Sequence, residues 1–391
     1  MFKLTMPPVP IATSKVLFDI SRLMRSRNRV FATGVDRIDL AIGLNLVKQF
    51  RDACHFLYAG SAGITIVPQR EARWLLETLD SRWNGAPAPR DLGNGAGLAT
   101  LRIALGSWMR LSRKPVVTAD TTYVVASHSG LGKVAGGMRR LDPAAVMKRF
   151  VYIHDIIPLE MPEYQRPETA AGFESFLREL TGVPLTIASN SKDTDRLVRA
   201  LAEKRRWQVD AFVVLMPTLR LEPAANRLVR SAVDTYLSKQ NPFFTVIGTI
   251  EPRKNHLLLL NLWRQIVSEN DNPPRLCIIG KRGWENENVL DMLDRCEAIR
   301  DTVTEFSDLN DGEVQAMMTS SAGLLFPSFI EGLGIPLLEA AALQLPCIVS
   351  DIPVFHEIAP PDAVFLDPLD GPGWKRAILS LAQSAGQHEQ V

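Results

Sequence analysis

Short apolar runs alternate along this chain with longer stretches whose apolar residues recur at helical spacing. The runs have the length of buried strands, and the stretches place one apolar stripe on a helix. In the first half the pattern predicts strands at Val16–Ile20, His55–Ala59, Val116–Thr118, Tyr123–Ala126, Phe150–His154, Leu185–Ser189 and Ala211–Leu215. Helices are predicted over Val35–Phe50, Glu71–Asp80, Glu168–Leu180 and Lys192–Glu203. After the proline-marked stretch Pro217–Pro223 the rhythm restarts. Strands are expected there at Phe243–Gly248, Leu276–Gly280, Thr302–Phe306, Ala322–Phe326, Ile348–Ser350 and Val364–Leu366. The helices between them are His256–Ser268, Asn288–Arg300, Gly312–Ser320 and Ile335–Leu343, and a last helix begins at Trp374. Such alternation builds doubly wound α/β domains around parallel sheets. The expected fold class is therefore α/β, as two Rossmann-like domains facing each other across a ligand cleft. Residues 1–222 form the first domain and 223–372 the second, while 373–391 form a helix suggested to return onto the first.

The length of 391 residues suits two domains. A net charge of +1 offers no case for nucleic acid as the main partner. The four cysteines (Cys54, Cys277, Cys296, Cys347) are scattered, which argues against a disulfide framework or a zinc site and fits a reducing cytoplasm. Met1–Pro10 lacks the apolar core of a signal peptide, and no run approaches the length needed to cross a bilayer. The expectation is a cytoplasmic protein, either soluble or resting on a membrane surface.

The densest chemistry lies in Pro327-Ser-Phe-Ile-Glu-Gly-Leu-Gly-Ile-Pro-Leu-Leu-Glu339. A strand leads into two glycines, a proline and an apolar helix, so backbone N–H groups at a helix start can receive an anion. Glu331 and Glu339 flank that spot. Carboxylates repel phosphate, so hydroxyl groups are their better partners, and the combination suits a sugar carried on a nucleotide diphosphate. On the residues alone, a turn acid and a first-turn helix acid are the competing reading. The first loop of the second domain, Gly248-Thr-Ile-Glu-Pro-Arg-Lys-Asn-His256, brings Arg253 and Lys254 to the binding edge of the sheet. Two cations beside a helix start suit a pyrophosphate, and they would stabilise the charge on a departing diphosphate. A solvated pair capping a turn is the alternative there.

Taken in order, Gly248-Thr-Ile-Glu-Pro-Arg-Lys-Asn255, Gly280-Lys-Arg-Gly-Trp284 and Glu331-Gly-Leu-Gly-Ile-Pro-Leu-Leu-Glu339 resemble the C-terminal domain of the family-4 retaining glycosyltransferases (glycosyl transferases group 1). Tyr152-Ile-His-Asp-Ile-Ile-Pro158 and Thr33-Gly-Val-Asp-Arg37 resemble that family's N-terminal loops. The likeness runs from about residue 15 to about residue 370 and is loose over 60–115. It implies the GT-B fold and transfer of a hexose with retention of configuration.

The resemblance also implies roles for individual residues. Lys254 and Arg253 would neutralise the donor diphosphate, and Glu339 would accept from the ribose hydroxyls. Glu331 would face the donor sugar, with the amides around Gly332, Leu333 and Gly334 meeting phosphate or sugar. His154 would reach the sugar from the other domain, and Gly34 would sit in the glycine loop beneath it. Many members carry arginine directly after the glycine of the first C-domain loop, where this chain has Thr249. Arg253 is then the residue to take over that role.

Two basic stretches bear on the acceptor. Arg22, Arg25, Arg27 and Arg29 fall just before Gly34. Residues 98–114 interleave Leu101, Trp108 and Leu111 with Arg102, Arg110, Arg113 and Lys114. That segment is a candidate for peripheral membrane contact, although a helix packed on its own domain with a solvated basic edge is the favoured reading. The function expected is transfer of a hexose, with mannose the first guess, from a nucleotide-diphosphate sugar to a saccharide or lipid-linked saccharide acceptor. Bacterial polysaccharide assembly (lipopolysaccharide or exopolysaccharide) at the inner face of the cytoplasmic membrane is the expected setting. With protein cations available for the phosphates, neither a cofactor nor an essential metal is expected. The alternatives are a sugar-nucleotide epimerase of the same fold and a non-catalytic carbohydrate- or nucleotide-binding protein.

Overall fold

The computed structural model describes residues 2–29, 31–60, 63–84, 117–221 and 230–388. In chain order the strands are β1 (Phe2–Thr5), β2 (Lys15–Asp19), β3 (Cys54–Gly60), β4 (Gly63–Val67), β5 (Thr121–Val125), β6 (Lys148–Ile153), β7 (Leu185–Ser189), β8 (Val209–Val214), β9 (Thr218–Leu221), β10 (Phe243–Ile247), β11 (Arg275–Ile279), β12 (Val303–Phe306), β13 (Gly323–Phe326), β14 (Cys347–Ser350) and β15 (Val364–Leu366). The chain divides into two compact units. The first comprises Lys3–Leu159 and Pro167–Thr218; the second comprises Leu219–Val391 with Met1–Phe2 and Glu160–Arg166.

The sheet of the first unit runs β4-β3-β2-β5-β6-β7-β8 and is parallel except for β4. Every residue of β5 is buried, as expected for a central strand covered on both faces. Leu17, Tyr123, Val151, Phe176 and Ile187 share its core. In the second unit the order is β12-β11-β10-β13-β14-β15, all parallel. Its core gathers Phe244, Trp263, Leu276, Leu325 and Trp374. In both sheets the chain first steps one way from its starting strand and later returns to the other side. The strand order therefore reverses between β2 and β5, and again between β10 and β13. Open α/β sheets bind ligands outside the carboxyl ends of the strands at such switch points.

Several local expectations need correcting. No strand forms at Val117 or Thr118, and Val116 lies outside the described residues. The antiparallel β4 was not anticipated; it pairs tightly back onto β3, Gly60 opposite Gly63. The helix expected over Asn288–Arg300 ends at Arg295, because Cys296 takes an extended backbone (φ −81°, ψ 98°), and a single 3-10 turn follows at Glu297–Ile299. The last helix, Gly371–His388, packs in the core of the second unit rather than leaving it. Trp374, Ile378 and Ala382 recur every fourth residue and form its buried stripe. The Trp374 indole N–H donates to the Asp367 carbonyl at 3.0 Å. Residues 98–114 lie outside the described residues.

Candidate functional site

In the second unit the switch point is built by the loops after β10 and β13. Gly280 lets the first loop sit close to the neighbouring strand end: a Cβ there would stand 1.8 Å from the Gly248 carbonyl oxygen. The chain then makes a 3-10 turn over Pro252–Lys254, and Asn255 in left-handed conformation starts the helix His256–Glu269. The second loop is tied to the first by the Phe329 amide, which donates to the Arg253 carbonyl at 2.9 Å. Gly334, at φ +98°, turns the chain into the helix Ile335–Ala342, which has no side-chain bond at its N-cap.

These two loops place four charged side chains against one another. Arg253 donates to Glu331 Oε2 at 2.7 Å and reaches Glu251 Oε1 at 2.6 Å. The Lys254 ammonium donates to Glu331 Oε1, which also accepts from Ser328 Oγ at 2.7 Å. Arg253 further donates to the Ile330 carbonyl at 3.1 Å, and Lys254 Nζ lies 4.8 Å over the Phe326 ring. Glu251, Lys254 and Glu331 are 3%, 8% and 9% exposed. Such burial is tolerable only because each charge has a partner.

The ionisation of Glu331 follows from this geometry. Burial pushes its carboxyl upward, but Arg253, Lys254 and their hydrogen bonds outweigh that and bring it to about 2. Burial lowers Lys254, Glu331 opposes that, and the adjacent Arg253 adds to it; the pairing of Lys254 with Glu331 rests on their direct contact. Burial raises Glu251, with Arg253 and Lys254 acting against it.

Of the residues singled out in the sequence, Arg253, Lys254 and Glu331 thus meet in one cluster. Gly332, Leu333 and Gly334 are buried in the turn that follows, and Glu339 is buried on the next helix. Thr249 is half-buried at the strand end; a Cβ on Gly283 would strike its methyl and the Ile250 carbonyl oxygen, each at 2.7 Å. Three participants were not singled out. Glu251 holds Arg253, Ser328 holds Glu331, and Phe326 lies beneath Lys254. The acid in Glu251-Pro-Arg-Lys254, two residues from the arginine, was the available signal for the first.

Arg282 is spent elsewhere, on Asp294 and Glu305. Asn310 caps its helix in a capping box with Glu313, and Ser191 caps the helix Lys192–Lys204. An Asp-x-Asp triplet, Asp193-Thr-Asp195, lies in the first turn of that helix, and its acids pair with Arg196 and Arg199 rather than standing at the donor loops. Among the described residues no group of His, Cys, Asp and Glu is arranged to hold a metal ion.

In the first unit His154 directly follows β6, 4% exposed, with Nε2 2.7 Å from the Ala126 carbonyl. That contact places the ring proton on Nε2. Burial, then the neighbouring His128, lowers its pKa to about 3, so the ring is neutral. The His154 amide donates to His128 Nε2 at 3.3 Å. Gly34 is the first residue of the helix Gly34–Phe50, whose N-cap Thr33 forms a capping box with Asp36.

Residues 233–388 match the family model of the glycosyl transferases group 1. They form a glycosyltransferase domain. This domain contains the Arg253–Lys254–Glu331 cluster. Among curated proteins, the chain is 28% identical over 225 residues to the serotype-specific mannosyltransferase WbdA of Escherichia coli, covering 53% of this chain and 26% of WbdA. It is 34% identical over 146 residues to the O-antigen chain mannosyltransferase RfbU of Salmonella typhimurium, covering 37% and 39%. The chain spans about a quarter of the length of the curated relatives it matches first. Among solved structures, Anabaena HepE in complex with UDP and glucose superposes with a TM-score of 0.55 at 12% identity, over 95% of this chain and 94% of that one. The fold is that of the GT-B glycosyltransferases, two Rossmann-like units with the glycosyltransferase domain as the second.

Proposed function

We propose that this protein transfers a hexose, mannose first among the candidates, from a nucleotide-diphosphate sugar to a saccharide or lipid-linked saccharide acceptor in bacterial surface-polysaccharide assembly. The observation that carries this reading is the buried Glu251–Arg253–Glu331–Lys254 cluster at the switch point of a glycosyltransferase domain. Mannosyltransferase relatives favour mannose as the sugar.

In this reading Arg253 and Lys254 receive the donor diphosphate, and the turn amides at Gly332, Leu333 and Gly334 add to that cradle. Glu339 anchors the ribose and Glu331 serves the sugar side once the cations turn to phosphate. The bond from sugar C1 to the diphosphate oxygen breaks as the acceptor oxygen bonds C1 from the same face. The acceptor proton passes to the departing diphosphate, whose charge the two cations stabilise. His154 and Gly34, from the first unit, are assigned to the donor sugar. No covalent nucleophile and no essential metal are required. No helix among the described residues is long and apolar enough to cross a membrane; work at the cytoplasmic membrane face is part of the proposal.

The test is a transfer assay with GDP-mannose and UDP-, dTDP- and ADP-sugars on lipid-linked and soluble saccharide acceptors, with EDTA present. Acceptor-dependent release of nucleoside diphosphate is expected, falling by roughly 100-fold or more in Lys254→Ala, the scale seen when one group stabilising transition-state charge is removed. Epimerisation without transfer, or a Lys254→Ala protein as fast as wild type, would sink the reading.

A further inference from the structure

The switch point of the first unit carries chemistry that the donor site does not use. Where β2 and β5 diverge, the residues after each strand enclose a cavity of about 330 Å³. That volume lies at the small end of ligand pockets and accommodates a group of monosaccharide size. Arg22, Arg25 and Arg29 line it from one side, and His128, Ser129 and Lys133 from the other.

The four arginines that crowd the sequence before Gly34 separate into distinct tasks. Arg27 turns back to the Met24 carbonyl at 2.8 Å and closes its own short helix. Arg22 and Arg29 both grip Asp36 at 2.7 Å, and Asp36 also accepts from Ser26 at 3.0 Å. Among the described residues no ion pair joins Arg25 or Lys133. The arginine segment is pinned from behind, where Trp83 Nε1 donates to the Arg29 carbonyl at 3.1 Å and Arg82 donates to that of Arg27. The cavity therefore presents four cations against one committed carboxylate. Burial lowers the Lys133 ammonium, and the like charges of Arg25 and Arg22 lower it further. Two further acids are buried beside this group: burial holds Asp39 up at about 8, so it supplies little counter-charge at neutral pH, and burial also raises Asp19, which lies against the cavity residue Gly130. Like charges gathered in a concavity at a ligand-binding edge repel one another until an anion arrives.

We infer that this cavity is an anion site for a phosphate group carried by the acceptor, held by the guanidinium forks of Arg25 and Arg29 and by the Lys133 ammonium. Phosphate is favoured because its double charge and its several oxygens use three or four cations at once. That the phosphate belongs to the acceptor rests on the transferase reading above; that the site binds phosphate does not. The phosphate could stand on a polyprenyl carrier or on a phosphorylated saccharide, and both present the same group to the site.

Lys133 gives a local readout. Its acetylation by an N-hydroxysuccinimide ester is followed by mass spectrometry at constant ionic strength, with inorganic phosphate added against chloride. The labelling rate is expected to fall about tenfold once phosphate stands at about ten times its dissociation constant. Protection should persist in Lys254→Ala, which removes the donor-site cation, and vanish in Arg25→Gln. Protection by a hexose phosphate identifies a soluble source. Protection by phosphatidylcholine vesicles doped with polyprenyl phosphate, but not by undoped vesicles, identifies a lipid one. Labelling of Lys133 that none of these phosphates changes, or protection that disappears with Lys254→Ala and survives Arg25→Gln, overturns the inference. Protection in a protein that transfers no sugar would keep the phosphate site and discard the transferase reading.

Discussion

Replacing Glu331 by glutamine separates the two parts that this residue is given. In the resting protein its carboxylate is the shared partner of two cations, Lys254 buried and Arg253 partly so. Its pKa, brought from an ordinary 4.5 to about 2, represents roughly 3 kcal/mol of interaction favouring the charged form, at about 1.4 kcal/mol per pH unit. Glutamine keeps the shape and can still accept from Ser328 and Lys254, but it leaves the cations without their counter-charge. Breaking a buried pair on one side costs roughly 3–5 kcal/mol in other proteins, which agrees with that figure. For a unit of this size, about 3 kcal/mol lowers Tm by roughly 6–12 °C.

The informative part is what ligand does to the variant. A diphosphate brings its own negative charge to Arg253 and Lys254, and in wild type it must compete with Glu331 for them. In Glu331→Gln that competition is gone, so pyrophosphate should bind at least about tenfold more tightly, an effect of about 1.4 kcal/mol. It should also restore more Tm than it adds to wild type. Turnover should fall at the same time, because the sugar-side carboxylate is missing. Differential scanning fluorimetry with and without pyrophosphate, together with calorimetric titration, reads all of these quantities. A Glu331→Gln protein with unchanged Tm, or with weaker pyrophosphate binding, would refute the competition argument.

Three further substitutions, and a control for one of them, test other parts of the structure. Asp39, raised to about 8 in the folded state by burial, contributes stability that is fully present below its unfolded value near 4 and lost as pH rises through 8. The wild type should therefore lose stability relative to Asp39→Asn across that window, at up to roughly 1.4 kcal/mol per pH unit, as read from paired urea titrations. Gly280→Ala drives a Cβ against the Gly248 carbonyl oxygen and should cost roughly 3 kcal/mol with weaker diphosphate binding. Gly182→Ala, whose Cβ would meet nothing within 4 Å, is its control in the same denaturation assay. Trp374→Ala empties a fully buried position of the second core and should cost roughly 3–5 kcal/mol by chemical denaturation.

The alternation of apolar runs was sufficient to reveal both sheets, because central parallel strands such as β5 and β11 are buried on both faces and read as continuous hydrophobic segments. It could not reveal β4, a short hairpin partner whose Gly-Ile-Thr-Ile-Val interrupts the parallel pattern. It also gave no reason to assign Glu160–Arg166 to the second unit. That assignment rests on long-range contacts, the Tyr164 ring stacked on Phe329 at 5.4 Å and Arg166 over Trp284. At the candidate site the cations and Glu331 were legible because loops between strand and helix carry few reasons other than ligands for such residues. Their mutual pairing was not legible. Glu331 lies 77 positions from Lys254, and only the adjacency of β10 and β13 brings them together.

That pairing changes how the cluster should be understood. Two uncompensated cations, Lys254 buried and Arg253 largely so, would draw in water or shift their protonation, so an apolar pocket cannot store them ready for a diphosphate. Carboxylates at Glu251 and Glu331 solve the problem by keeping the resting site close to neutral, with each cation already oriented by a fixed partner. A diphosphate then replaces one set of negative oxygens by another, and the cations need little reorganisation when charge develops on the leaving group. The first unit does the opposite at the equivalent place in its own sheet. There the cations outnumber their one carboxylate and stand more exposed, an arrangement that water and ions can tolerate between visits of a ligand. The difference follows from burial: a deep site needs internal counter-charge, and an open one can wait for its anion.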